Sequence, residues 1–417
     1  MATAVRRQEG TAAPAGDDAE AATVQPPRAP LSHWRRYPAE VGEWFEPEDV
    51  ARGWAYHRPL ERLGRIRLVL GIAVMLAFIS GQVGPRLAAA VPSGSWVVQL
   101  VVVVVALHAV TLVYSPWFAA HRSLFYDRRW RLSTQTPKGF IVDQAKQFAL
   151  AVATSLVVLV PLYAVIRATP MWWLFGWLVV ATLSVVFGVA YPVVIAPVFN
   201  RFSELEDQEL AARLRRLAER AGLKVDRFLV ADASRRSRAG NAYVAGLGPT
   251  RRVVVFDTIL DWPHELVEQV VAHELGHWRH AHLRRRVPVV VASQLVAFVV
   301  AWAAMQWDPL LRFAGVSSVG DPASLPVLAS VLAIGLVISN VVSSWLSRAD
   351  ERQADLFALD LLAEPDTLAQ ALRRLARRNR SDVAPSTWKR LVASHPPLAE
   401  RMAMTVAWGE RKEPGPH

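Results

Sequence analysis

Among its 417 residues the sequence contains no cysteine. Disulfide frameworks, thiolate metal sites and cysteine nucleophiles are therefore excluded, and any metal must be held by histidine and carboxylate groups. Lysine is nearly as scarce, so the net charge of +11 rests almost wholly on arginine. No nucleic-acid motif accompanies that charge, and the arginines cluster beside apolar runs. This favours an anionic membrane surface over nucleic acid as the partner. Residues 1–38 lack an apolar period and are rich in Ala, Pro, Gly and acidic residues. They read as a disordered tail rather than a signal peptide.

What the sequence has in excess is apolar surface. Hydrophobic residues make up 53% of the chain and mean hydropathy is positive at +0.22, above the usual range for soluble domains. Six stretches are long enough, or nearly so, to cross a bilayer: Ile66–Val83, Trp96–Tyr114, Phe148–Ile166, Trp172–Val194, Val287–Trp307 and Pro326–Leu346. One such run can be a buried helix, but six predict a mainly α, polytopic membrane protein. Positive charge alternates across them. Arg62, Arg65 and Arg67 precede the first span, six basic residues from Arg122 to Lys146 follow the second, and Arg284–Arg286 precede the fifth, whereas the opposite loops carry few. The alternation predicts a cell-membrane protein with both termini and the large polar region in the cytoplasm.

The expected organisation is a tail (1–38), an amphipathic cytoplasmic segment (39–65), four spans (66–199), a cytoplasmic catalytic region (200–286), two further spans (287–346), a second cytoplasmic part (347–405) and a tail (406–417). Within the polar region, Leu205–Gly222 has helical spacing. Arg227–Ala231 and Arg252–Phe256 read as strands, with a hairpin closed by a Gly-Pro turn, and Glu265–His282 reads as a helix. Asp350–Leu362 and Asp366–Arg378 are predicted helices. The cytoplasmic part is thus a small zincin-like α+β region.

Chemistry concentrates in VVAHELGHWRHAH. On a helix His273 and His277, four apart, project from one face and can grip one zinc ion. Glu274 sits beside the pair, where it can take a proton from an attacking water without occupying a coordination position. His280 and His282 read as solvated or interfacial. A catalytic zinc needs a third protein ligand from another element; Glu351 and Asp355, four apart in LSRADERQADLFAL, are the candidates. One could bind the metal and the other orient a ligand histidine, or both could belong to a solvated acidic face.

HELGHW and SRADERQAD together resemble the integral-membrane type 1 CAAX prenyl protease family of HExxH gluzincins. So do FEPEDVARGWAY, STQTPKGFIVDQAK, PVVIAPVFNRFSELED, RSRAGNAYVAGLG with RRVVVFDTIL, and SHPPLAERM, so the likeness runs from about residue 45 to about 403. The resemblance implies a zinc metalloendopeptidase with one zinc per chain, Glu351 as third ligand and Asp355 behind a ligand histidine. It implies that Asn241 lies on an edge strand that pairs with substrate peptide, and that His395 and Arg401 stabilise the oxyanion. It further implies peptide or protein substrates that are lipid-modified or membrane-associated. The family typically has seven spans against six counted here. The arginine bias points to a GC-rich, bacterial genome, where prenylated proteins are not expected. A general membrane quality-control protease is therefore an alternative; a non-catalytic scaffold fits the intact His273, Glu274, His277 and Glu351 less well, and a transporter predicts intramembrane charges of which the six spans are almost free.

Overall fold

The computed structural model describes residues 41–412 except position 93 and positions 247–250. The expected tail at 1–38 and the Gly-Pro turn of the hairpin lie outside these residues.

Six helices are long and apolar enough to cross a membrane: Pro47–Ser80, Trp96–Arg129, Pro137–Ala168, Trp172–Phe199, His282–Met305 and Pro322–Leu362. Little of each apolar window is buried inside the chain, between 6 and 22%. Helices apolar all round with this much exposed surface need a bilayer as their solvent. The fold is mainly helical and multi-pass, as its composition predicts.

Helix α1 (Pro47–Ser80) starts with Pro at its first turn, where the missing N–H costs nothing. It runs unbroken from the segment expected to be a separate amphipathic element into the first span. Helices α2 (Val83–Ala89), α3 (Trp96–Ala120), α4 (Pro137–Ala168) and α5 (Trp172–Ala190) follow. Wider turns at Tyr191–Ile195, around Pro192, carry α5 towards the polar region, a known way for proline to bend a helix. The spans share an apolar core that includes Leu100, Val103, Tyr163, Phe298 and Leu328.

The polar region holds a four-stranded sheet of β1 (Phe202–Glu204), β2 (Arg227–Ala231), β3 (Ala242–Ala245) and β4 (Arg252–Phe256), in the order β1-β2-β4-β3. The β3–β4 pair is antiparallel, while β2 and β4 are parallel. Central β4 buries Val253, Val254 and Val255 completely or nearly so, which suits its β-branched sequence. Strand β3 is therefore an edge. Amphipathic α6 (Gln208–Arg220), capped by Asp207, covers the sheet through Leu214 and Leu217.

Helix α7 (His264–Arg279) packs into the same core through Val267, Val271 and Leu275. Burying each such side chain contributes ~1.5–3 kcal/mol. The expected helix Glu265–His282 is in fact two. Ala281 adopts a left-handed conformation (φ 52°), and α8 (His282–Met305) leaves in a new direction. Helix α9 (Leu325–Leu362) is a single 38-residue helix, joining the sixth span to the segment from Asp350. Helices α10 (Pro365–Arg378), α11 (Thr387–Val392) and α12 (Leu398–Lys412) complete the catalytic side. Helix α12 extends into the stretch expected to be a C-terminal tail.

Gly276 lets α7 press against α9. A Cβ there would lie 3.0 Å from Ala354 Cα and 3.1 Å from its carbonyl oxygen. That backbone approach, with Phe357 wholly buried alongside, sets the distance between the HExxH helix and Glu351.

Candidate active site

Because α7 and α9 meet at Gly276, the side chains one turn away converge. His273 Nε2 and His277 Nε2 lie 3.2 Å apart. Glu351 sends Oε2 to within 3.3 Å of the first and Oε1 to within 3.3 Å of the second. These three residues form the metal-competent group among the described residues. A tetrahedral zinc with bonds of ~2.0–2.1 Å holds its donor atoms ~3.3 Å apart, so the spacing fits that ion.

Behind His273, its Nδ1–H donates to Asp355 Oδ1 at 2.8 Å, which leaves Nε2 free as a donor to metal. Arg401 in turn clamps Asp355, through Nε to Oδ2 at 2.7 Å and Nη2 to Oδ1 at 2.6 Å. Without a metal, burial works against a charged His273, but Asp355 and Glu351 outweigh it and push its pKa up to about 10, so a metal ion would bind at Nε2 by displacing a proton. Arg401 lines the cavity as well, yet two of its N–H groups are committed to Asp355 rather than to a reacting oxygen. His273 and Asp355 are buried and the Arg401 side chain is only 12% exposed, so the pair survives only because it is fully hydrogen-bonded.

His277 has a partner that sequence reasoning missed. Its Nδ1 lies 2.8 Å from His282 Nδ1, and His282 Nε2 lies 2.9 Å from Gln353 Oε1. If His282 donates from Nε2 to that carbonyl oxygen, its Nδ1 is an acceptor for His277 Nδ1–H. Only this pattern leaves His277 Nε2 unprotonated and aimed at the metal position. The reading of His280 and His282 as solvated or interfacial is corrected: both are buried. The left-handed Ala281 folds the chain back and sets His282 beside His277. Burial, chiefly, holds the His280 pKa down to about 4, so that ring is neutral.

Glu274 makes no hydrogen bond or ion pair among the described residues and faces a cavity of ≈ 580 Å³. Burial raises its pKa, against the pull of His273 and His277, a direction that suits a proton acceptor working near neutrality. His395, on the opposite wall, lies with Nδ1 2.7 Å from Glu351 Oε2. Asn241 lies at the cavity rim, immediately before edge strand β3. The preceding Gly240 is held by a second residue the sequence did not flag. Asn379 accepts from Gly240 N–H at 2.8 Å and donates to its carbonyl at 3.1 Å. Glycine is required at 240 because a Cβ would meet Ile259 at 2.6 Å. Leu368, Leu372 and Leu375 of α10 make the cavity's apolar wall.

With this geometry in hand, comparison with known proteins decides the family. "Peptidase family M48" matches residues 204–408, and "CAAX prenyl protease N-terminal, five membrane helices" matches residues 29–201. The CAAX prenyl protease 1 homolog of Arabidopsis thaliana is 31% identical over 309 residues, 68% of each chain. The chain belongs to the CAAX prenyl protease 1 family of M48 peptidases. It is a membrane metalloprotease. CAAX prenyl protease 1 of Saccharomyces cerevisiae is 29% identical, covering 69% of this chain and 67% of its own. The uncharacterized metalloprotease YhfN of Bacillus subtilis is 28% identical over 73% and 72%. The crystal structure of S. mikatae Ste24p, at 24% identity, shares the fold over 92% of both chains with a TM-score of 0.79. Where the N-terminal description has five membrane helices, four candidate spans lie within residues 29–201 among the described residues.

Proposed function

We propose that this M48 protease hydrolyses peptide bonds at the cytoplasmic face of the cell membrane, with one zinc held by His273, His277 and Glu351. The observation that carries the reading is the tetrahedral donor spacing with an unpartnered Glu274 beside it. Zinc, when bound, supplies a Lewis acid for the scissile carbonyl and acidifies a water. Glu274 takes the proton of the attacking water and delivers it to the leaving amine. Asp355 and Arg401 keep the His273 ring in position; His282 does the same for His277. His395 steadies Glu351 and faces the developing oxyanion. Extended substrate adds to edge strand β3 beside Asn241, gaining backbone hydrogen bonds that demand little of its side chains.

The substrate class we infer is a peptide or protein that is lipid-modified or membrane-associated. His277 contacts His282, about five residues before the apolar run of the fifth span, and Glu351 lies about five residues after that of the sixth, so at ~1.5 Å per residue both stand near the membrane boundary. The relatives named CAAX prenyl protease favour a prenylated substrate. The arginine-rich composition points to a GC-rich bacterial genome, where prenylated proteins are not expected, which makes general membrane-protein quality control an equal alternative. Purified wild type and Glu274→Gln should be compared on a fluorogenic peptide library with and without a farnesylated cysteine. The variant should bind zinc and cleave nothing; equal turnover by both would sink the mechanism. Indifference of the wild type to the lipid would sink the prenyl reading and leave quality control.

A further inference from the structure

Helix α11 (Thr387–Val392) joins α10 to the segment that carries His395, and its outer face is uncovered among the described residues. Trp388 is 71% exposed and Leu391 46%; three apart, they share one side of the helix. Neither lines the catalytic cavity, whereas their neighbours Lys389, Arg390 and Val392 do. The short helix therefore forms the sill of the cavity, with an apolar side turned away from it.

Two attachments fix the depth of α11. At its C-terminal end, Ser344 Oγ donates to the Val392 carbonyl at 3.0 Å, and Arg348 donates to the carbonyls of Leu391 at 3.2 Å and Ala393 at 2.8 Å. These carbonyls are the orphan acceptors of a helix terminus, and they are satisfied by the last turns of the sixth span, whose apolar run ends at Leu346. Within α11, Lys389 pairs with Glu61, five residues before the apolar run of the first span begins at Ile66. One attachment is about 3 Å inside the apolar stretch of its span and the other about 8 Å outside, at ~1.5 Å per residue. Helix α11 is thus tied to two different spans at the level where hydrocarbon gives way to headgroups. Trp345, next to Ser344, is also exposed, at 67%.

We propose that α11 is an interfacial anchor, seated by Trp388 and Leu391 in the headgroup–acyl boundary of an anionic bilayer, so that the catalytic cavity opens at the lipid surface. Tryptophan is the residue best suited to that level, and the adjoining exposed cation Arg390 matches anionic headgroups, whereas Lys389 and Arg348 are engaged by Glu61, Asp382 and backbone carbonyls. A substrate held by a lipid anchor would reach Glu274 over this sill without leaving the membrane, a consequence that rests on the function proposed above.

Because the chain lacks cysteine, a nitroxide on Leu391→Cys needs no background removal. The full-length protein carrying it is reconstituted in phosphatidylcholine vesicles containing phosphatidylglycerol, and collisional access of oxygen and of a water-soluble nickel chelate is measured. Oxygen should exceed nickel at position 391, and nickel should exceed oxygen at a control label on Glu410→Cys, an exposed position of α12. High nickel access at 391, or low access to both reagents, would overturn the anchor, the second result meaning that another protein copy covers it. In a separate arm, Trp388→Glu/Leu391→Glu should slow cleavage of a lipid-anchored peptide about tenfold while leaving the same peptide without lipid unchanged. An equal loss on both peptides would overturn the sill role. The depth measurement needs no turnover, so failure of the anchor is separable from failure of the proposed chemistry.

Discussion

Replacing His282 by alanine isolates the least expected part of the site. The substitution removes the acceptor for His277 Nδ1–H, 2.8 Å away, and leaves the His277 ring free to rotate or to place its proton on the metal-facing nitrogen. Loss of a partner that orients a metal-binding histidine typically costs about 10–100-fold in metal affinity, equivalent to ~1.4–2.7 kcal/mol. The lower end is expected if Glu351 and His273 hold the ion without help. Zinc affinity would be read by chelator competition on protein in detergent, with circular dichroism reporting the folded fraction, because His282 is buried. His282→Gln, which retains an acceptor oxygen, should recover part of the loss. An affinity within twofold of wild type for folded His282→Ala would refute the assignment. So would an equal defect in the glutamine variant, since packing alone would then account for the change.

Arg401→Ala strands a buried carboxylate at Asp355, and removing one member of such a pair costs about 3–5 kcal/mol; thermal unfolding of the metal-free protein measures it. Arg401→Lys should recover little, since an ammonium cannot reproduce the two-pronged contact. Asn379→Ala breaks both bonds to Gly240, an expected loss of ~1–3 kcal/mol, and peptide kinetics should show a raised KM as the β3 edge loosens. Gly276→Ala sets a methyl group against the Ala354 backbone, which cannot swing aside. The two ligand helices must separate, and chelator competition should show weakened zinc binding.

Much of this site could be read from residues alone, for identifiable reasons. His273, Glu274 and His277 announce themselves because metal chemistry constrains their spacing on one helix. Strands β2 and β4 are legible because RFLVA and RVVVF combine β-branching with short apolar runs. The break at Ala281 is not legible: alanine is a strong helix former and, like other residues with a Cβ, uncommon at positive φ, so the pattern continues through a turn that only packing reveals. His282 was misread for that reason. Asn379 and Arg401 lie 139 and 46 residues from their partners, and no local period encodes such pairings. The uninterrupted α9 escaped notice because its apolar run and its charged end follow different compositions while sharing one backbone hydrogen-bond ladder.

That continuity makes the enzyme's reacting centre part of a lever. Glu351 rides on the same rigid rod as the sixth span, roughly 15 residues, or ~22 Å, beyond the middle of its apolar run. A helix accommodates bilayer thickness partly by tilting, and a tilt of ~5° swings a point at that radius by ~2 Å. Metal and catalytic constellations tolerate displacements of only ~0.5 Å. His273 and His277 stand on α7, joined to the rod through side packing such as Gly276 on Ala354, so the three donors hold together only while that contact carries the tilt. With zinc held as proposed, its coordination is expected to respond to the acyl-chain length of the surrounding lipid. Turnover should pass through a maximum as vesicles are made from progressively longer phospholipids.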